Sequence, residues 1–330
     1  MYTTSGASDV LTLTERPVPE PGPGEVRVAV RVSGVNPTDW KARAGTSPAR
    51  EQVPNQDGSG VVDAVGAGVP AARVGERVWL WEAAWQRSEG TAQEYLVLPE
   101  QQAVPLPDRA SFELGASIGI PAMTAHRALT LGADGPKRLA PGALAGRTVL
   151  VAGGAGAVGN AAIQLARWAG ATVLTTVSGP AKAALATAAG AQHTVDYRAG
   201  DAAKAIRELA PDGVDLVVEV APGSNAALDL AVLRTGGAVA FYADGSGPEV
   251  TLPVRELMVR NLRWHGILVY TMPAEAKLAA VTAISAALAD GALRAGEEAG
   301  VPWHVYPLER TAEAHDAVQG GVVGKVLITL

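Results

Sequence analysis

Residues 148–166 read TVLVAGGAGAVGNAAIQLA: a run of β-forming residues, a glycine-rich turn and an alanine-rich segment of helical character. Gly156 allows a backbone to approach a pyrophosphate, and Gly159 allows a helix to pack closely against the strand before it. The first amides of such a helix add unpaired donors and the positive end of a dipole. A second β-forming run at 172–177 completes a β-α-β unit. The pattern predicts a Rossmann-type dinucleotide site, the alternative being a tight turn with a purely structural role.

The residues after the second strand indicate which nicotinamide cofactor would bind. A site for the unphosphorylated cofactor places Asp or Glu about 20 residues after the glycines, on the ribose 2′-hydroxyl. This chain has Ser178 and Lys182 there, and Tyr197 and Arg198 after the third strand. Hydroxyl groups and cations suit a 2′-phosphate. We therefore expect NADPH, the alternative being that the two cations are ordinary solvated surface charges.

Composition limits the classes of protein that remain. The chain has 330 residues, 48% of them hydrophobic, which is enough for two domains. Its net charge of −6, without a basic cluster, argues against nucleic acid as a partner. It shows no signal-peptide pattern and no apolar run of membrane-spanning length, so we expect a cytoplasmic protein with no membrane partner.

Metal-ligating residue types are scarce. The chain contains no cysteine, and its five histidines lack metal-ligand spacing. Cysteine-ligated zinc is excluded, and no metal site is predicted.

The pattern along the chain predicts two domains. Alternating runs at 25–32 and 60–65 are typical of a β-rich unit, and Ser111 is placed to cap a helix. From 122 to 270 helical and strand patterns alternate, as in a doubly wound parallel sheet, with a surface loop at 132–142. A helix at 274–289, a strand at 303–306, a short helix at 312–318 and a strand at 325–330 follow. We expect residues 1–121 and 271–330 to form one domain and residues 122–270 the other.

Six motifs carry a resemblance that extends over almost the whole chain. They are GVNPTDWK at 34–41, NQDGSGVV at 55–62, GERVW at 75–79, GIPAMTA at 119–125, the glycine turn, and GKV at 324–326. With them the chain resembles the medium-chain dehydrogenase/reductase superfamily, in its zinc-independent NADPH:quinone oxidoreductase, or zeta-crystallin-like, branch. The resemblance implies an α/β protein with a GroES-like β-rich catalytic domain, a Rossmann domain and a homodimeric assembly.

The resemblance also implies roles for individual residues. Asn36 and Thr124 are the catalytic residues that it implies, and Lys41 is a third expected catalytic residue because of its position in the GVNPTDWK motif. Asn36 with Trp40 is expected to contact the substrate. The expected cofactor-binding residues are Gly153, Gly156, Ala157, Val158, Gly159, Ser178, Lys182, Tyr197, Ala221, Tyr242, Ala243, Leu268, Val269 and Lys325. Three of these residues have an alternative role outside binding and catalysis. Asn36 could be a turn asparagine before proline, Trp40 a packing residue and Lys41 a solvated surface lysine.

Lys41 is a departure from the family pattern, because many quinone reductases of this type carry a tyrosine at its position. Its cation would stabilise negative charge that develops on an acceptor oxygen.

Without a zinc Lewis acid, alcohol oxidation is disfavoured, whereas hydride attack on an electron-poor acceptor gives a delocalised anion that needs no metal. The predicted activity is NADPH-dependent, metal-independent reduction of a quinone or an α,β-unsaturated carbonyl. The alternatives are a biosynthetic enoyl reductase and a non-catalytic crystallin-like or vesicle-associated family member.

Overall fold

The computed structural model describes residues 1–131 and 135–330. The described chain forms two compact units, Met1–Ile120 with Pro302–Leu330, and Pro121–Val301. Each unit has its own sheet. No helix of the described residues combines the length and apolarity needed to cross a membrane.

The first unit is β-rich. Its strands are β1 (Glu25–Val35), β2 (Asp57–Val65), β3 (Arg77–Leu80), β4 (Tyr95–Pro99), β5 (Ala103–Pro105), β12 (Trp303–Pro307) and β13 (Lys325–Thr329). They form a sheet in the order β12-β13-β1-β2-β3-β5, with β4 paired to β1. Val26, Val28 and Val30 are buried at alternate positions of β1, as a strand with one face on a core requires. β13 pairs with β1, so the last strand of the chain belongs to this sheet.

Helices α1 (Pro37–Gly45) and α9 (Thr311–Gln319) belong to the first unit, while α2 (Phe112–Thr130) contains the boundary between the units. The predicted cap of α2 is confirmed, since the Leu114 amide donates to Ser111 Oγ at 3.2 Å. The sequence predicts a helix after Ser111 and the start of the second domain at residue 122. The structure instead has one continuous helix with Pro121 inside it.

The second unit is a parallel sheet covered by helices. Its strands are β6 (Thr148–Ala152), β7 (Thr172–Val177), β8 (His193–Asp196), β9 (Val214–Glu219), β10 (Leu233–Phe241) and β11 (Arg263–Gly266). Its helices are α3 (Ala157–Trp168), α4 (Pro180–Ala188), α5 (Ala202–Leu209), α6 (Pro222–Val232), α7 (Val254–Arg260) and α8 (Ala274–Ala289). The strand order β11-β10-β9-β6-β7-β8 is that of a doubly wound dinucleotide fold, so the predicted fold class is confirmed.

β7 and β8 are added on one side of β6, whereas β9, β10 and β11 are added on its other side. The order of the strands therefore reverses between β6 and β9. In open α/β sheets, ligands bind beyond the carboxyl ends of the strands at such a switch point. The glycine turn follows β6 directly, so the fold positions it where a dinucleotide is expected.

The second unit continues further than the sequence division proposed. It ends at Val301, whereas residues 271–301 were assigned by sequence to the first domain. Side chains of α3 explain this grouping: Gln164 exchanges two hydrogen bonds with the Arg294 backbone, both 2.9 Å, and Asn160 donates to the Ala299 carbonyl at 2.7 Å. Of the predicted loop at 132–142, residues 132–134 lie outside the described residues.

Candidate active site

The turn between β6 and α3 requires glycine at several positions, for different structural reasons. Gly153 has φ +69°, a conformation that favours glycine. A Cβ on Gly159 would lie 2.5 Å from the Gly153 carbonyl oxygen, and one on Gly154 would lie 2.2 Å from Thr175 Oγ1. The turn therefore requires glycine at these three positions for its own geometry.

Gly156 is the exception, because no neighbour among the described residues requires a glycine there. Its φ is −80°, and the nearest heavy atom to an added Cβ is the Gly153 oxygen at 3.4 Å, an ordinary contact. Gly156 is exposed and caps α3 without a side-chain hydrogen bond to the first amides of the helix. An open backbone surface beside uncapped amides fits a pyrophosphate, which a Cβ would obstruct.

The predicted wall residues of the cofactor site follow the carboxyl ends of three neighbouring strands. Val220 and Ala221 follow β9, Tyr242 and Ala243 follow β10, and Leu268 and Val269 lie just beyond β11. An added Cβ on Gly153 would lie 3.2 Å from Val220 Cγ1, so the glycine turn and the end of β9 are close neighbours. The structure thus brings these residues to one edge of the sheet.

The predicted 2′-phosphate residues lie at the ends of β7 and β8. Val177 and Asp196 are register partners, and the Tyr197 amide donates to the Val177 carbonyl at 3.1 Å. Ser178 and Tyr197 therefore leave the same edge of the sheet, and Lys182 lies in the first turn of α4. Tyr197 is 49% exposed, and the Arg198 guanidinium lies 5.9 Å from the centre of its ring.

Asn36 is held in a buried polar cluster of the first unit. Its Nδ2 donates to Asp57 Oδ2 at 2.7 Å, and its Oδ1 accepts from the Lys325 ammonium, also at 2.7 Å. Lys325 lies 3.4 Å from Asp57 Oδ2, and the Ile120 amide donates to Asp57 Oδ1 at 2.8 Å. This network fixes the orientation of the Asn36 amide without any ligand.

Asp39 joins the cluster through the backbone. Its Oδ2 accepts from the Asn36 amide at 2.7 Å, and together the two residues form a capping box at the start of α1. Burial raises the pKa of Asp39 to about 8. Burial also raises the pKa of Asp57 and lowers that of Lys325, and the attraction between this pair opposes both shifts. A Lys325–Asp57 ion pair with a protonated Asp39 leaves no net charge in the cluster.

The other predicted residues occupy different environments. Thr124 is buried on α2, Trp40 is half-buried on α1, and Lys41 is exposed on the same helix. Lys325 is 2% exposed and bonded as described above. Its predicted contact with the cofactor stays a prediction, as do the roles of the other three.

Sequence reasoning missed Asp57 and Asp39 as members of the cluster. Asp57 gave no local signal, because its partners Asn36 and Lys325 are remote in the chain. Asp39 did give one: Asn36, Pro37 and Asp39 have the N-cap, N1 and N3 spacing of a capped helix. The same spacing predicts the start of α1.

The residues do not fit a zinc site. In the described part of the chain, no three His, Cys, Asp or Glu side chains are grouped so that they could hold a metal ion. The donor set also contains no cysteine thiolate.

Comparisons with known proteins agree with this architecture. Residues 22–108 match the alcohol dehydrogenase GroES-like domain, and residues 157–286 match the zinc-binding dehydrogenase family. Rat quinone oxidoreductase is 31% identical over 336 residues, which cover 98% of this chain and 95% of the rat protein. The chain belongs to the quinone oxidoreductase branch of the medium-chain dehydrogenase/reductase superfamily. This quinone oxidoreductase family member has a GroES-like β-rich domain and a Rossmann domain.

Two solved structures resemble this family member over their whole length. A structure described as an NAD-dependent alcohol dehydrogenase has 31% identity and a TM-score of 0.85, with 100% of both chains covered. A mycobacterial protein complexed with NADPH has 28% identity and a TM-score of 0.80, covering 100% of this chain and 98% of the other. A nicotinamide cofactor is supported by this fold, while these two relatives differ in the form of the cofactor.

Proposed function

We propose that the protein is an NADPH-dependent, metal-independent reductase that passes a hydride from C4 of the nicotinamide to a quinone or to the β-carbon of an α,β-unsaturated carbonyl. The observation that carries the proposal is the open backbone at Gly156, located at the switch point of a six-stranded sheet whose order is that of a dinucleotide fold. The family to which the chain belongs supports the same activity.

The cofactor supplies the hydride, and the protein supplies binding and orientation. The first amides of α3, at Ala157, Val158 and Gly159, would bind the pyrophosphate. The wall residues Ala221, Tyr242, Ala243, Leu268 and Val269 would enclose the nicotinamide and its ribose. Hydride and one proton together convert a quinone to a hydroquinone, and solvent water is the proton source because no side chain is assigned as donor.

NADPH is preferred over NADH in this proposal because of the residues after β7. No carboxylate is present from Ser178 to Lys182, so nothing there would repel a 2′-phosphate or bind a 2′-hydroxyl in its place. Ser178 and Tyr197 offer hydroxyl groups, and Lys182 offers a cation.

Asn36 is proposed to hold the carboxamide of the cofactor or the oxygen of the acceptor. Lys325 and Asp57 each use one hydrogen-bonding position of its amide, which leaves one N–H for a ligand. Lys41, exposed on α1, is proposed to stabilise charge that develops on the acceptor. Trp40 is proposed to stack on a flat acceptor, and Thr124 to contact the nicotinamide.

A homodimer is proposed from the surface of the second unit. β11 is the last strand of its sheet in the described chain, and Val254, Met258 and Val259 on neighbouring α7 are each at least 67% exposed. An open strand edge beside apolar side chains fits pairing with the same edge of a second copy. Sedimentation should show a dimer for the wild type and a monomer for Met258→Asp combined with Val259→Asp.

Isotope transfer tests the proposed activity directly. NADPH carrying deuterium at C4 is incubated with the protein and a simple enone, and the product is analysed by mass spectrometry and NMR. The proposal predicts deuterium at the β-carbon of the saturated product, with one NADPH oxidised per enone reduced. NADPH that remains unoxidised with both enones and quinones would contradict it.

A further inference from the structure

A pair of buried carboxyl groups lies behind the predicted wall of the cofactor site. Glu219 is the last residue of β9 and Asp229 lies on α6, and their exposures are 0% and 1%. Glu219 Oε1 accepts from the Ala221 backbone amide and from Asn225 Nδ2, the latter at 3.0 Å. Glu219 therefore ties the end of β9 to the first turn of α6.

Three of the four carboxyl oxygens lack a donor from any other described residue. They are Glu219 Oε2 and both oxygens of Asp229. Such atoms, when buried, are normally hydrogen-bonded. Glu219 and Asp229 belong to elements that pack against each other, and the charge of Glu219 acts on Asp229. A proton held between the two carboxyl groups would supply the missing donor, because an ionised carboxylate accepts but does not donate.

The charges around the pair also indicate that it retains one proton. Neither carboxylate forms an ion pair with a cation of the described chain. On α5, which packs against α6, Lys204, Arg207 and Glu208 are exposed. Arg260 of α7 donates to the Leu230 carbonyl but pairs with Glu256 at 2.6 Å, and Arg234 of β10 pairs with Asp215 at 2.7 Å. Two adjacent buried anions without a cation are unfavourable, so one proton is retained.

Tyr242 is a further titratable group near the pair. Its backbone amide donates to the Glu219 carbonyl at 3.1 Å. Burial and the charge of Glu219 raise the pKa of the Tyr242 phenol, so it stays neutral and adds no compensating charge. Burial and the charge of Glu219 also raise the pKa of Asp229, to about 9.

We propose that Glu219 and Asp229 share one proton and act together as a positioning pair for the β9–α6 turn, which carries Val220 and Ala221. The inference rests on the proposed function in one respect, namely that this turn contacts a nicotinamide. While the proton is present, Glu219 holds the Ala221 amide and Asn225 in place. When it is lost, the two carboxylates repel each other and the turn loosens, which weakens cofactor binding.

Urea unfolding at several pH values tests the shared proton without any cofactor. Asp229 is protonated in the native state and ionised in the unfolded state between about pH 4 and pH 9, so unfolding releases one proton and stability falls as pH rises. The unfolding equilibrium constant of the wild type should therefore rise about tenfold more per pH unit than that of Asp229→Asn, whose amide donates permanently. Asp212→Asn, at an exposed position, is the matched control and should keep the wild-type slope. Equal slopes for wild type and Asp229→Asn would overturn the proposal.

Two further measurements keep the test decisive. Infrared difference spectra of wild-type protein at neutral pH should show a buried protonated carboxyl, which Asp229→Asn or Glu219→Gln removes, and its absence from the wild type would overturn the proposal. NADPH affinity should fall above pH 9 in the wild type and not in Asp229→Asn, and an equal fall in both would overturn the positioning role. If wild-type protein binds neither NADPH nor NADH at neutral pH, the proposed function fails, while the urea and infrared results still decide the shared proton.

Discussion

The Lys325 ammonium donates a hydrogen bond to the side-chain oxygen of Asn36 at 2.7 Å, although the two residues lie near opposite ends of the chain. This bond fixes the amide that is proposed to contact the cofactor or the acceptor. Because Lys325 is 2% exposed and also pairs with Asp57, it links the last strand of the chain to the orientation of Asn36.

Lys325→Met should be strongly destabilising. The substitution keeps most of the length of the side chain but leaves the Asp57 carboxylate buried without its cation, which costs about 3–5 kcal/mol of the free energy of unfolding. Urea denaturation measures the loss. The double variant Lys325→Met with Asp57→Asn should recover part of it, because no buried charge is then unpaired. A loss below about 1 kcal/mol in the single variant would show that Asp57 does not depend on Lys325.

Asn36→Ala and Lys41→Met separate a buried contact from an exposed one. Removing the Asn36 amide should lower kcat about 10²-fold as an oxyanion contact is lost, and lower stability by about 1–3 kcal/mol because Asp57 and Lys325 lose a partner. Lys41→Met should reduce kcat less and leave stability within about 0.5 kcal/mol, since Lys41 is exposed. Steady-state kinetics with one quinone and one enone, beside urea denaturation, measure both effects. If both variants keep wild-type kcat, their catalytic assignment is wrong.

Gly156→Ala and Gly159→Ala should act on different properties. At Gly159 a Cβ would lie 2.5 Å from a backbone oxygen, so alanine should cost about 1–3 kcal/mol of stability. At Gly156 the nearest atom is 3.4 Å away, so the fold should tolerate alanine while NADPH affinity falls. Urea denaturation and NADPH titration distinguish the two outcomes. Unchanged NADPH affinity in Gly156→Ala would remove this glycine from the pyrophosphate site.

Lys182→Ala should weaken NADPH binding by about 1–3 kcal/mol and leave NADH binding unchanged, because only the 2′-phosphate would lose a charged partner. Titration calorimetry with both cofactors measures the difference. Lys204→Ala, an exposed lysine on α5, serves as the control and should affect neither cofactor. An equal loss for both cofactors would place Lys182 outside the 2′-phosphate site.

Local patterns predicted the second unit well and the polar clusters poorly. The glycine turn fell between β6 and α3 as expected, and α8 spans Ala274–Ala289 as predicted, because both depend on residues close in sequence. The Asp57–Lys325 pair and the Glu219–Asp229 pair depend on tertiary packing that brings distant residues together. Neither has a periodicity or a spacing that a sequence analysis detects.

The division into domains shows the same limitation. Residues 290–299 carry no pattern that assigns them to either unit. The side chains of Gln164 and Asn160 on α3 donate hydrogen bonds to backbone carbonyls of this segment, which groups it with the second unit. The continuity of α2 through Pro121 was likewise missed, since proline inside a helical pattern ordinarily indicates a boundary.

Cofactor oxidation by chelator-treated protein measures metal independence and cofactor preference in one experiment. The protein is dialysed exhaustively against a strong chelator, its metal content is measured, and the oxidation of NADPH and NADH is followed with a simple quinone. We expect undiminished quinone reduction in metal-free protein, with a higher kcat/KM for NADPH than for NADH. Activity that disappears with the chelator and returns with zinc would contradict it.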